Sequence, residues 1–193
     1  MSIIQQLQCL SEDNLRQKII IPLLYFLGCR EVRDNDGNRE NGKDIVYVNY
    51  NHFLRKEIVG AVILKITDIG KGVRLRNIED QVRAAIAKFI SHGDPRNKIR
   101  IHEIVVITSK KITQDAMEEV YNFSGANFQN IHFVDGIRLE FLINQVIIEH
   151  NKDKKLNYVF SVETFGTALG YQAPITTPSI VMFNDPGDQV FQG

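Results

Sequence analysis

Two residues could do chemistry at the margin of a hydrophobic sheet: Asp44 and Lys65. Asp44 opens the run Gly42-Lys43-Asp44-Ile45-Val46-Tyr47-Val48, and Lys65 closes Glu57-Ile58-Val59-Gly60-Ala61-Val62-Ile63-Leu64-Lys65. Both runs read as strands, and the short polar stretch between them lets the strands pair antiparallel. Such a pair brings the carboxylate that starts one strand to the edge where the ammonium ends the next. A divalent cation and an activated water could sit between them, which is the minimal equipment of a phosphodiesterase. The bland alternatives are a strand-entry aspartate and an edge lysine whose stem covers apolar surface.

The elements that must position this pair follow from apolar spacing. Ser11 can cap a helix carrying Leu15, Ile19, Leu23, Leu24 and Leu27, stopped by Gly28 and kinked at Pro22. Cys29 to Val32 reads as a short strand, 35–38 as a turn, and the Asp44 and Glu57–Thr67 strands complete a meander. Ile78, Val82, Ala85, Ile86 and Phe89 mark a second helix, ended by a break at Gly93-Asp94-Pro95. Ile101 to Thr108 is a β-branched run suited to a strand buried on both sides. A helix over 113–123, a strand over 130–134 and a closing helix over 137–148 follow. The order αβββαβαβα predicts an α/β fold, a mixed central sheet flanked by helices.

At 193 residues, 44% hydrophobic and 24% charged, the chain is long enough for one domain with a substantial core, expected over residues 1–150. Residues 151–193 are expected to form an irregular tail or linker. The uncharged stretch from Thr164 to Asn184 has the length of a membrane span, but Gly166, Gly170, Pro174 and Pro178 argue against one. No targeting segment is visible at the start, so a cytoplasmic protein is expected. Lys+Arg and Asp+Glu both total 23, which excludes a global positive field and confines any nucleic-acid binding to a local patch. Lys71, Arg74, Arg76 and Arg83 form such a patch after the third strand, or else a solvated charge run. Cys9 and Cys29 are too few for a disulfide framework or a four-thiolate zinc site and read as reduced core residues. The five histidines show no metal-ligand spacing, His102 and His132 read as hydrogen-bonded core histidines, and Gly70-Lys71-Gly72 lacks the rest of a phosphate loop.

With these residues in place, the chain resembles the Mrr-type restriction endonucleases of the PD-(D/E)xK superfamily. The resemblance spans roughly residues 11 to 145. It rests on the helix ending Pro22-Leu23-Leu24-Tyr25-Phe26-Leu27-Gly28, on Arg39-Glu40-Asn41-Gly42-Lys43-Asp44-Ile45, on the strand ending in Lys65, and on Gln81 in the next helix. It implies a restriction-endonuclease-like αβββαβ core, Asp44 as a ligand of Mg²⁺ or Mn²⁺, Lys65 as the group steadying the nucleophile, and Gln81 lining the site. It also implies double-stranded DNA as substrate and a homodimer as the working form. Two positions depart from the pattern. The residue two before the lysine, where the family carries a ligand, is Ile63, which offers a hard cation no oxygen. The first-helix glutamate of the family corresponds to Gln17, whose amide oxygen can still coordinate as an auxiliary ligand. Glu40, Glu12 and, less well placed, Asp68 are carboxylates that could take over. A different class of function remains open: a degenerate nuclease fold kept for DNA binding, sensing or assembly.

Overall fold

The computed structural model describes residues 1–35, 43–53, 55–87, 90–92, 94–124, 130–154 and 157–172, with the side chains of 90–92 and 94–99 left aside. Helix α1 (Ile3–Gln8) opens with a capping box, the Ser2 hydroxyl accepting from the Gln5 amide and the Gln5 side chain accepting from the Ser2 amide. Ser11 caps the next helix as expected, its hydroxyl accepting from the Asn14 amide. That helix is built in three pieces: α2 (Glu12–Leu15), a π-helical turn (Arg16–Ile20) and α3 (Ile21–Phe26). Pro22 lies at the start of α3, where its missing N–H disturbs the preceding turn, and the Ile21 amide reaches back five residues to the Arg16 carbonyl. Gly28, at φ +84°, ends the helix in the left-handed region.

Strands β1 (Arg30–Asp34), β2 (Ile45–Asn51) and β3 (Lys56–Lys65) form the antiparallel meander. Helix α4 (Val73–Ala87) leads to a separate ribbon of β4 (Ile90–His92) and β5 (Asp94–Ile99). Of the break expected at 93–95, Asp94 and Pro95 lie in β5, and Gly93 lies outside the described residues. Strand β6 (Glu103–Thr108), helix α5 (Gln114–Ser124), strand β7 (Ile131–Val134) and helix α6 (Gly136–Lys154) follow. The main sheet has the order β1-β2-β3-β6-β7, with β3, β6 and β7 mutually parallel and β1 and β2 antiparallel to their neighbours. This is the mixed sheet flanked by helices that the sequence predicts.

Period-two alternation in the central strands feeds two cores. Val62 and Leu64 of β3 join Leu7, Leu15, Ile19 and Leu139 from α1, α2, the π turn and α6. Ala61 and Ile63 face the opposite way, onto Ile78 and Val82 of α4 and Val120 of α5. Because both faces are covered, β3 and β6 read as nearly continuous apolar runs.

The boundary expected at residue 150 falls inside α6, and the chain then folds back. Asn151 and Tyr158 exchange two side chain–backbone hydrogen bonds of 2.9 Å, and Phe160, Val162 and Phe165 are buried in the first core. Phe165 starts the short helix α7 (Phe165–Ala168). Residues 157–172 thus belong to the packed body, held by aromatic burial that shows no periodic pattern in sequence. No helix among the described residues is long and apolar enough to cross a membrane. Cys29 is buried as expected, whereas Cys9, at the C-terminal cap of α1, is exposed.

Candidate active site

The ladder between β2 and β3 pairs Ile45 with Val62, and the Asp44 amide donates to the Val62 carbonyl at 2.9 Å. Continuing that register sets Asp44 across from Ile63, with Lys65 two residues further along the same face of β3. Asp44 is 4% exposed, and its Oδ2 accepts a short hydrogen bond from the Leu64 amide. A carboxylate thus takes the place of a backbone acceptor at the end of the ladder, which fixes its position to the strand that carries Lys65.

The third member of the cluster is Glu12. Lys65 Nζ lies 3.7 Å from Glu12 Oε1, and both side chains are partly shielded from water. Burial pushes the Glu12 carboxyl above its usual range; the Lys65 ammonium pulls it down, and the Asp44 carboxylate pushes it up again. Glu12, Asp44 and Lys65 therefore share one electrostatic neighbourhood, contributed by α2, by the residue that precedes β2 and by the end of β3. Glu12 follows the Ser11 cap directly, so the first turn of α2 delivers it to the sheet edge.

Gln17 makes its contact elsewhere. Its amide donates to Asp34 Oδ2 at the end of β1, where the buried Arg16 also reaches, Nε lying 3.1 Å from Asp34 Oδ1. The pair clasps the π turn to β1. Gln81 is half-buried on α4, and its Oε1 has no hydrogen-bond partner among the described residues. Glu40 lies outside the described residues. Asp68 is spent on backbone, accepting from the Lys111 amide at 3.1 Å.

The basic stretch leans toward α5. Lys71 pairs with Asp115 at 3.0 Å, and the hydrogen bond and charge of that carboxylate hold its ammonium above the ordinary range. The Arg83 guanidinium stacks 4.5 Å over the Phe123 ring. Arg74 reaches the Asp68 carbonyl at 3.4 Å, and Arg76 is exposed on the first turn of α4. Of the histidines, His102 Nδ1 accepts from the Val59 amide at 3.0 Å, while His132 on β7 is exposed.

Among the described residues, no three His, Cys, Asp or Glu side chains form a metal-binding group. The donors at the sheet edge are two carboxylates, Asp44 and Glu12, and Ile63 adds none. Two hard oxygen donors match Mg²⁺, which is commonly held by one or two carboxylates and completes its shell with water and substrate phosphate. The donor set therefore fits one such cation. In sequence Glu12 is one of several possible stand-in carboxylates, and only the helix geometry singles it out.

No family model matches this chain, and no curated protein does. Among solved structures, it is similar to MspJI restriction endonuclease in complex with a 27-mer oligonucleotide, at 13% identity and a TM-score of 0.40. The match covers 80% of this chain and 30% of that one. The fold described above rests on strand order and packing, independently of that likeness.

Proposed function

We propose that this chain is a metal-dependent DNA endonuclease of the Mrr, PD-(D/E)xK kind, hydrolysing phosphodiester bonds in double-stranded DNA. The observation that carries the reading is the ion pair of Glu12 with Lys65 at the strand end where Asp44 accepts from the Leu64 amide. Asp44 and Glu12 would hold one Mg²⁺ or Mn²⁺, which when bound supplies Lewis-acid charge at the scissile phosphate. Asp44 is pre-positioned for this by the Leu64 amide, so little reorganisation is needed on binding. Lys65 places a positive charge where negative charge develops on the attacking and non-bridging oxygens. Glu12 holds that ammonium at the sheet edge, and its own burial raises the proton affinity of its carboxyl. A homodimer in the cytoplasm, each subunit cutting one strand, completes the reading.

One observation favours the degenerate alternative. Ile63 is fully buried in the second core, so the position next to Asp44 serves packing rather than ligation. The test is plasmid nicking with and without Mg²⁺ or Mn²⁺, using the wild type, Asp44→Asn and Lys65→Ala. Cation-dependent nicking that falls by about 100-fold or more in both variants, with DNA affinity held within a few-fold, supports the enzyme. Binding without cutting, equal in all three proteins, supports the sensing module and sinks the endonuclease.

A further inference from the structure

At the other end of the β3–β6 ladder, one row of three residues crosses the sheet on its first-core face. Tyr47 pairs with Gly60, and Gly60 pairs with Glu103. The Tyr47 ring lies over Gly60, where an added Cβ would collide with the ring carbon Cζ. Only a residue without a side chain lets the ring pass, and the phenol then reaches across β3 to donate to Glu103 Oε1 at 2.7 Å.

Above this row is a cavity of about 220 Å³ between α3, α6 and the sheet, walled by Leu23, Leu24, Val105, Leu139 and Leu142. Its polar groups are gathered on one side: the Tyr47 hydroxyl, the Glu103 carboxylate, Asn49 and the Cys29 thiol. Glu103 makes no ion pair among the described residues, so its charge is answered by a neutral phenol alone. Burial and the nearby Glu103 charge push the Cys29 thiol up to about 11 and raise the Tyr47 phenol, so both stay neutral. A dry cavity of about 150 Å³ takes up benzene, so this one has room for a single ring or a short branched chain plus a small head group.

We propose that this cavity is a binding site for a small hydrophobic amine, its apolar body among the leucines and its ammonium on Glu103. An apolar chamber with one convergent cluster of polar groups is the usual form of a small-molecule site. A carboxylate already holding a hydroxyl donor but no cation selects a positive head over a neutral or negative one. The site is separate from Asp44 and Lys65 and does not depend on any activity there.

The experiment uses the full chain and three probes of matched shape: phenethylamine, ethylbenzene and phenylacetate, followed by calorimetry and by protein NMR. Saturable millimolar or tighter binding of phenethylamine is expected, with phenylacetate failing to bind. Glu103→Gln, which preserves an acceptor for Tyr47, should weaken the amine by about tenfold and leave ethylbenzene unchanged. Leu142→Phe, which fills the cavity from its rim, should abolish binding of both while the protein stays folded. No saturable binding of any probe overturns the site, and equal affinity for the amine in wild type and Glu103→Gln overturns the ammonium contact.

Discussion

The two ends of the β3–β6 ladder handle charge in opposite ways. At the Lys65 end, two carboxylates and one ammonium crowd together, and Glu12 is left with a raised proton affinity despite its ion pair. At the Gly60 end, one carboxylate is met by a single phenol laid across a glycine, with a cavity above it. The same strands run through both, so the sheet alone does not decide the chemistry. The difference lies in what the first helix delivers: a charged first turn to one end, and the leucines of α3 to the other. A cluster with an excess of carboxylates calls for a cation from outside, whereas an anion met, among the described residues, by a phenol under an apolar roof calls for a ligand with both characters.

Four measurements would break or sharpen that contrast. The largest effect is expected at Ile63, which is packed against α4 beside the charged end. Ile63→Gln places an amide in that core and should cost about 3 kcal/mol in denaturant unfolding. If position 63 can reach a cation held by Asp44, Mg²⁺ will raise the melting temperature of this variant more than that of the wild type; equal shifts mean that the position belongs to the core alone. At the opposite end, Gly60→Ala drives a methyl into the Tyr47 ring and should destabilise by about 1–3 kcal/mol. A neutral result there would show that Tyr47 is free to move off β3.

Glu12 gives a smaller, pH-dependent signature. Its carboxyl is raised in the folded state, so the folded protein binds its proton more tightly than the unfolded chain does. Its contribution favours folding below the ordinary value of 4.5 and is lost as pH rises through the raised folded value. Glu12→Gln should therefore flatten the decline in stability across that acidic window, and an unchanged profile would remove Glu12 from the cluster. The smallest effect concerns DNA binding. Three to four contacts from Lys71, Arg74, Arg76 and Arg83 imply a slope of log affinity on log salt of about −3. Asp115→Asn, which releases Lys71, should steepen that slope by at most about 0.9. No change would place Lys71 outside the interface.

Much of this architecture is legible in the sequence because burial leaves a period. The apolar runs ending at Lys65 and Thr108, and the stripe Ile78, Val82 and Ala85, announce β3, β6 and α4 directly. Asp44 and Lys65 stand out for the same reason, as polar residues bounding apolar runs. The rest depends on relations that no local window contains. Choosing Glu12 over Gln17 needs the rotation of the first helix relative to the sheet. The β4–β5 ribbon follows a helix without an alternating pattern, and Phe160, Val162 and Phe165 enter the core from an aperiodic stretch. Tyr47 reads as an ordinary strand residue until Gly60 and Glu103 are known to lie beside it in neighbouring strands.

The π turn at Arg16–Ile20 carries one residue more than an α-helical turn, and that extra residue sets an angular offset. Each residue of an α-helix advances the facing direction by about 100°, so α2 and α3 are out of phase by roughly that amount. The offset lets Leu15 and Leu23 both face the first core while Glu12 points to Lys65 and Gln17 to Asp34. Removing a single residue from this turn would produce a more regular helix in which these directions can no longer all be met. The address of the candidate site is thus written partly as a phase, and a deletion that improves local geometry would misdeliver its only helical carboxylate.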